Sequence, residues 1–206
     1  MRGKQKSPYK LALEDLYVSL CGFSHLTKAE FNQLLRYLEI REFEKKVQVL
    51  HRGGIEKHVN IVARGLVRKY LEVKKQQITL QLAVEGQVVY SETSFHTRSP
   101  SKLILETIEP STLISISYDN LEEVFMQFPK AERLGRLLVS ELFIRKDNNY
   151  FNQLGKTTRE RFLEYVRSNP QLMQRVPQKD IASYLNIKPE TFSRLKHLLK
   201  ERKTKD

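Results

Sequence analysis

The spacing of apolar positions changes period twice along the chain. From Tyr9 to about Ile40 it is helical: Leu13, Leu16 and Leu20 recur at three and four. Thr27 with Glu30 reads as a capping box opening FNQLLRYLEI. From about Phe43 to Tyr118 the pattern is that of strands. VNIVARGLVRKYL holds short β-rich runs broken at Gly65, ITLQLAV alternates Ile78, Leu80, Leu82 and Val84 on one face, and LILETIE and LISIS follow the same rule. Short strands punctuated at Gly53-Gly54, Gly65 and Gly86 predict a small antiparallel barrel or sandwich.

Beyond Asp119 the helical period returns. LEEVFMQF ends at Pro129, and a long run follows from Lys130 through Leu154. In it Leu134, Leu137, Leu138, Leu142, Phe143 and Ile144 go most of the way round, more than one buried face requires. Either the helix is central to its own domain, or one stripe packs on the barrel and another on a second copy of the chain. Glu141, Arg145 and Asn148 fall near the candidate seam and make its heptad imperfect.

Two short amphipathic runs then flank Asn186, Ile187, Lys188 and Pro189 in QKDIASYLNIKPETFSRLKHLL. Ile181 and Leu185 share one face, Ala182 is small enough for close helix approach, and Asn186 suits the left-handed exit from a helix. Pro189 fits the first turn of the next helix. There Phe192, Leu195 and Leu199 point one way, while Glu190, Ser193, Arg194 and His197 share the opposite face. This is the pattern of a helix-turn-helix, whose second helix offers polar side chains to base edges; an ordinary helical hairpin with a wet outer face has the same period. Arg194 has the fork to bond guanine O6 and N7, and Glu190 can accept from cytosine N4.

Charge bears on that choice. The 206 residues carry 36 Lys and Arg against 24 Asp and Glu, a net +12. The last 51 residues, from Lys156, hold 13 basic and 6 acidic side chains, so +7 of the total lies with the helical pair. A basic domain attracts polyanions, and phosphate contacts that release counterions give affinity for nucleic acid; a solubilising surface is the alternative. The single Cys21 excludes an internal disulfide framework and reads as a small buried hydrophobe. No apolar run reaches a membrane span, so no membrane partner and a cytoplasmic location are expected. The five histidines show no paired metal spacing, and no phosphate loop, nucleophile elbow or dinucleotide fingerprint occurs, so the chain does not read as an enzyme.

PQKDIASYLNIKPETFSRLKHLL resembles the winged helix-turn-helix of the Crp/Fnr family, the bacterial transcription regulators named for the cyclic-AMP receptor protein and the fumarate and nitrate reduction regulator. The resemblance covers nearly the whole chain, with IVARGLVRKY similar to the sensor's strand-Gly-strand pattern and EGQVVYSETSF to the segment entering its pocket. It implies an α+β fold: a β-roll sensor with N-terminal helices (1–129), a long dimerisation helix (130–155) and a C-terminal winged helix-turn-helix (156–206). It implies a homodimer that binds a pseudo-palindromic site on double-stranded DNA, with RNA polymerase as a further partner. Glu190 and Arg194 fall on the family's base-reading positions, Gln178 and Thr191 on phosphate-contacting ones, and Lys188 and Ser193 adjoin that surface. The chain stops soon after the second helix, so the wing is expected either to precede it or to be reduced to a short piece such as LMQRVP.

The sensor departs from the family pattern. Ser91, with Glu92 beside it, stands where cyclic-nucleotide binders carry a Glu for the ribose hydroxyl, and Ser101 and Lys102 stand at their Arg-Ser pair. These four are the candidate ligand residues, and they do not reproduce a two-pronged grip on a cyclic phosphate. No cofactor is expected, and cyclic AMP is not the expected effector. The competing reading is a small-molecule sensor or protein-interaction module that binds no DNA.

Overall fold

A computed structural model describes residues 8–74 and 76–203, with side chains from 10 to 197 apart from residue 75. The chain divides into two compact units. One comprises the chain to Tyr70 together with Leu82–Glu141; the other comprises Leu71–Gln81 and everything from Leu142 onward.

The first unit is built on β-strands. Helices α1 (Pro8–Cys21) and α2 (Lys28–Leu34) lead through a 3-10 turn into β1 (Leu38–Phe43), β2 (Gln48–Leu50), β3 (His58–Arg64) and β4 (Val67–Val73). β5 (Gln76–Ala83), β6 (Val88–Val89), α3 (Glu92–Thr97), β7 (Leu103–Thr107), β8 (Ser111–Ser117) and α4 (Tyr118–Gln127) follow. The strands form two four-stranded sheets ordered β1-β8-β3-β6 and β2-β7-β4-β5. Leu50, Val62, Val67, Ala83, Val89, Leu105 and Leu113 fill the space between them. Alternation sends Ile61, Ala63 and Ile114 to the other face of the first sheet, where Leu16, Leu26 and Phe31 of the N-terminal segment cover them. The predicted capping box is present: Thr27 accepts from the Glu30 N–H, and Glu30 accepts from the Thr27 N–H at 2.8 Å.

Gly65 makes the β3–β4 turn possible. Its φ is +95°, and a Cβ there would collide with Ser111 and the Pro110 carbonyl.

Helix α5 (Pro129–Gly155) spans 27 residues, its first half in one unit and its second in the other. The second unit continues with α6 (Thr158–Ser168), α7 (Leu172–Arg175), α8 (Gln178–Tyr184) and α9 (Pro189–Lys203). Phe162, Leu172, Val176, Ile181, Ala182, Leu185, Ile187 and Phe192 are buried.

Four expectations are corrected. The helical period does not reach Ile40, because six residues from Leu38 pair with β8, and sheet pairing overrides the local three-four spacing of Leu34, Leu35 and Leu38. The ITLQLAV face is not uniformly buried: Thr79 is 3% exposed, whereas Ile78 and Leu80 are more than 40% exposed. The Thr79 N–H donates to the Ser183 hydroxyl of α8, and alternation places Ile78 and Leu80 on the opposite face from Thr79. LMQRVP begins with a four-residue helix rather than a wing strand, and no strand lies between residues 156 and 203. Cys21 is half-buried rather than buried and points its thiol at the Leu26 carbonyl, 3.5 Å away.

Candidate nucleic-acid interface

The two helices of the pair are joined by a turn closed by backbone hydrogen bonds. α8 ends in a Schellman arrangement: Ile187 N–H donates to Ala182 O at 2.9 Å and Asn186 N–H to Ser183 O at 3.1 Å. Asn186 takes φ +53°, the left-handed conformation anticipated from its side chain. Ile187 and Ala182, joined by that turn, are both buried. The chain then enters α9 at Pro189.

α9 is held from beneath. Phe192 and Phe162 of α6 meet edge to face at 5.2 Å with an interplanar angle of 86°, both essentially fully buried. Thr157 and Glu160 form a second capping box at the start of α6, and the Thr157 bonds hold the Glu160 carboxyl below its ordinary range. Arg161 fastens the pieces together. Its guanidinium donates to Leu185 O at the end of α8 (3.2 Å), to Lys156 O before α6 (2.7 Å) and to Gln153 O at the end of α5 (3.1 Å). The sequence reading missed Arg161; its only signal was a basic residue one turn after a capping box.

With Phe192 inward, helical geometry fixes the outward set. Lys188, Glu190, Ser193, Arg194 and His197 are exposed, Thr191 and Leu195 half-buried, and Gln178 exposed at the start of α8. Leu199, expected on the inner face, lies outside the described side chains. Glu190 and Arg194 are one turn apart, and Lys188 and Gln178 flank the two helix starts where phosphates are favoured. The six predicted positions thus belong to two successive helices and the turn between them.

Ser183 was also missed. Its hydroxyl accepts from the Thr79 N–H at 2.9 Å and donates to the Gln77 carbonyl at 3.0 Å, so the 71–81 hairpin is bound to α8 through both backbone polarities.

The four candidate ligand residues in the β-roll separate into three groups. Ser91 and Ser101 are brought together: the Ser101 hydroxyl donates to Ser91 Oγ at 2.9 Å, and both residues are buried. Glu92 turns to Lys69 Nζ at 2.9 Å. Lys102 is exposed. The Ser91 N–H donates to Glu56, a buried carboxylate that also accepts from the His58 N–H. Burial pushes the Glu56 carboxyl up, against these hydrogen bonds. Arg98 donates to Glu56 O at 3.2 Å and lies over the Tyr118 ring. Glu56, Ser91 and Ser101 thus take part in internal hydrogen bonds of the β-roll. No group of three or more metal-ligating side chains occurs among the described residues. None of their helices is long and apolar enough to cross a membrane.

No family model matches the chain, and no curated protein matches it in sequence. Solved structures do match. FixK2 from Bradyrhizobium japonicum aligns over 80% of this chain and 85% of its own, at 18% identity and a TM-score of 0.68. CLP of Xanthomonas campestris, described as a c-di-GMP-responsive global regulator, aligns over 85% of this chain and 93% of its own, at 17% identity and a TM-score of 0.68. The Thermus thermophilus catabolite activator protein aligns over 89% and 87%, at 19% identity and a TM-score of 0.55. The chain shares with these neighbours a mixed fold of antiparallel sheets and helices.

Proposed function

We propose that the chain is a transcription regulator of the Crp/Fnr family that reads a specific DNA sequence as a homodimer and does so without cyclic AMP. The observation that carries the reading is the presentation of α9: Phe192 and the Asn186 turn fix the helix, so Glu190 and Arg194 stand on an exposed polar face. An Arg fork on such a face matches guanine O6 and N7, and a Glu matches cytosine N4. Gln178, Lys188, Thr191 and Ser193 surround that pair with phosphate-binding chemistry. The +7 charge of the last 51 residues supplies the sequence-independent attraction.

A second copy of the chain fits the outer face of α5. Phe143, Ile144, Tyr150, Phe151 and Leu154 are 53–68% exposed there. Phe143 and Tyr150, like Ile144 and Phe151, are seven residues apart, the repeat of a helix that pairs with its own copy. Such a dimer carries two copies of α9 and calls for an inverted repeat with half-sites about 34 Å apart.

Cyclic-AMP independence rests on the β-roll. A cyclic phosphate in a low-dielectric site needs a positioned donor array. Lys102 is exposed, and Ser91 and Ser101 are bonded to each other. Selection of duplexes from a random pool by the purified chain, without nucleotide, tests the proposal. An inverted repeat should emerge. Recovery of no consensus, or of one only when cyclic AMP is added, would overturn it.

A further inference from the structure

The second unit holds a cleft whose chemistry DNA reading does not use. The cleft, about 240 Å³, lies between the end of α5, one side of α6 and the end of α8. Its α5 wall is Asn149, Asn152 and Gln153, three carboxamides at i, i+3 and i+4 and so on one side of the helix. Their neighbours Tyr150, Phe151 and Leu154 form the apolar stripe assigned above to a second copy. A helix with one apolar side and one carboxamide side has two partners to satisfy.

The opposite wall carries an unsatisfied group. The Tyr165 residue is 8% exposed, and its hydroxyl is a buried polar atom without a hydrogen-bond partner. A native structure leaves few such groups, because each costs about 1–3 kcal/mol. The Tyr184 ring lies 5.6 Å from that of Tyr165 and tilted to it, and Asn149 bonds the Tyr184 hydroxyl. Burial raises both phenols above their ordinary range, so both hydroxyls stay protonated.

The charges at the cleft are already engaged. Glu164 is paired with Lys156 at 2.6 Å, and the Arg161 guanidinium is spent on the backbone carbonyls that fasten α5, α6 and α8. A carboxylate with no free cation disfavours a phosphate. Carboxamides offer a donor beside an acceptor, the arrangement that pairs with the edge of a nucleobase, and the tyrosines supply aromatic surface. The volume falls below the ~300 Å³ at which drug-sized pockets begin, which limits the occupant to something small.

We propose that this cleft binds an uncharged nucleoside, with Tyr165 donating to a base or sugar acceptor and Asn152 and Gln153 reading the base edge. The site lies on the unit that carries α9, so its occupancy acts on the reader directly and needs no ligand in the β-roll.

Calorimetric titration of the full chain without DNA tests this, using adenosine, guanosine, cytidine and uridine, with glucose and cyclic AMP as controls. At least one nucleoside should saturate at one per chain. Tyr165→Phe, which keeps the ring, should weaken it about tenfold, the equivalent of one lost hydrogen bond. Asn152→Ala should weaken it without lowering the melting temperature. Saturation by no nucleoside, binding indifferent to Tyr165→Phe, or glucose binding in place of nucleosides would each overturn the proposal. Because DNA is absent, failure here leaves the DNA-binding reading standing, and failure of DNA binding leaves this site standing.

Discussion

Phe192→Ala should unfold the helical second unit and leave the β-roll intact. Phe192 is 1% exposed and Phe162, its edge-to-face partner at 5.2 Å, is fully buried. Truncation of a buried Phe costs about 3–5 kcal/mol, of which the aromatic pairing accounts for roughly 0.5–1.5. A core of the size found in the second unit rarely supplies more than about 3–5 kcal/mol in all. The substitution therefore removes most or all of its stability. The sheets enclose a separate core of Val62, Val67, Leu105, Leu113 and their neighbours, which does not include Phe192. Guanidinium denaturation followed by far-UV circular dichroism should show the helical transition displaced to zero denaturant and the strand-rich transition retained. Limited proteolysis should cut after residue 155 and spare the β-roll. A destabilisation below about 1 kcal/mol, with DNA affinity unchanged, would refute the assignment of Phe192 as the support of α9.

Arg194→Ala should cost about 1–3 kcal/mol on the preferred duplex and relax discrimination at one base pair, whereas Lys188→Ala should weaken all sequences alike and reduce the salt slope by about one phosphate contact; binding isotherms on point-mutated duplexes separate the two. The Lys130 ammonium at 2.6 Å, aided by the Thr27 bonds, holds the Glu30 carboxyl down to about 2. A depressed carboxyl contributes stability above its ordinary value of 4.5 that fades as pH falls toward about 2. Carbon-detected NMR titration should find Glu30 ionised at pH 3 and its midpoint raised in Lys130→Met; an unchanged midpoint would show that the pair is not formed. Gly65→Ala combines a left-handed φ with contact against Ser111 and Pro110, and should lower β-roll stability by about 1–3 kcal/mol or more; a melting temperature equal to that of the parent would contradict it.

Local chemistry accounts for what the sequence made legible. Capping at Thr27, the left-handed Asn186 and the outward face of α9 each follow from side chains within a few residues, and the structure has all three. The strand-rich middle was likewise readable from alternation. What escaped depends on partners far along the chain. Leu38 reads as helical until β8, more than seventy residues later, pairs with it. Ser183 gives no sign that its hydroxyl meets Gln77 and Thr79, nor Glu56 that it will accept from Ser91. In the β-roll, the bond between Ser91 and Ser101 and the turn of Glu92 to Lys69 likewise join residues ten or more positions apart, which no local pattern encodes. Arg161 was passed over because its role is to satisfy carbonyls from three segments, which no local pattern encodes.

The central claim is that α9 reads a DNA sequence. Fluorescence anisotropy of the full chain on the selected inverted repeat and on a scrambled duplex of equal length, between 50 and 200 mM salt, tests it most directly. The expected result is binding to the repeat at least about 10³-fold tighter than to the scrambled duplex, with both affinities falling as salt rises. Equal affinities for the two duplexes, or no binding to either at low salt, would contradict it.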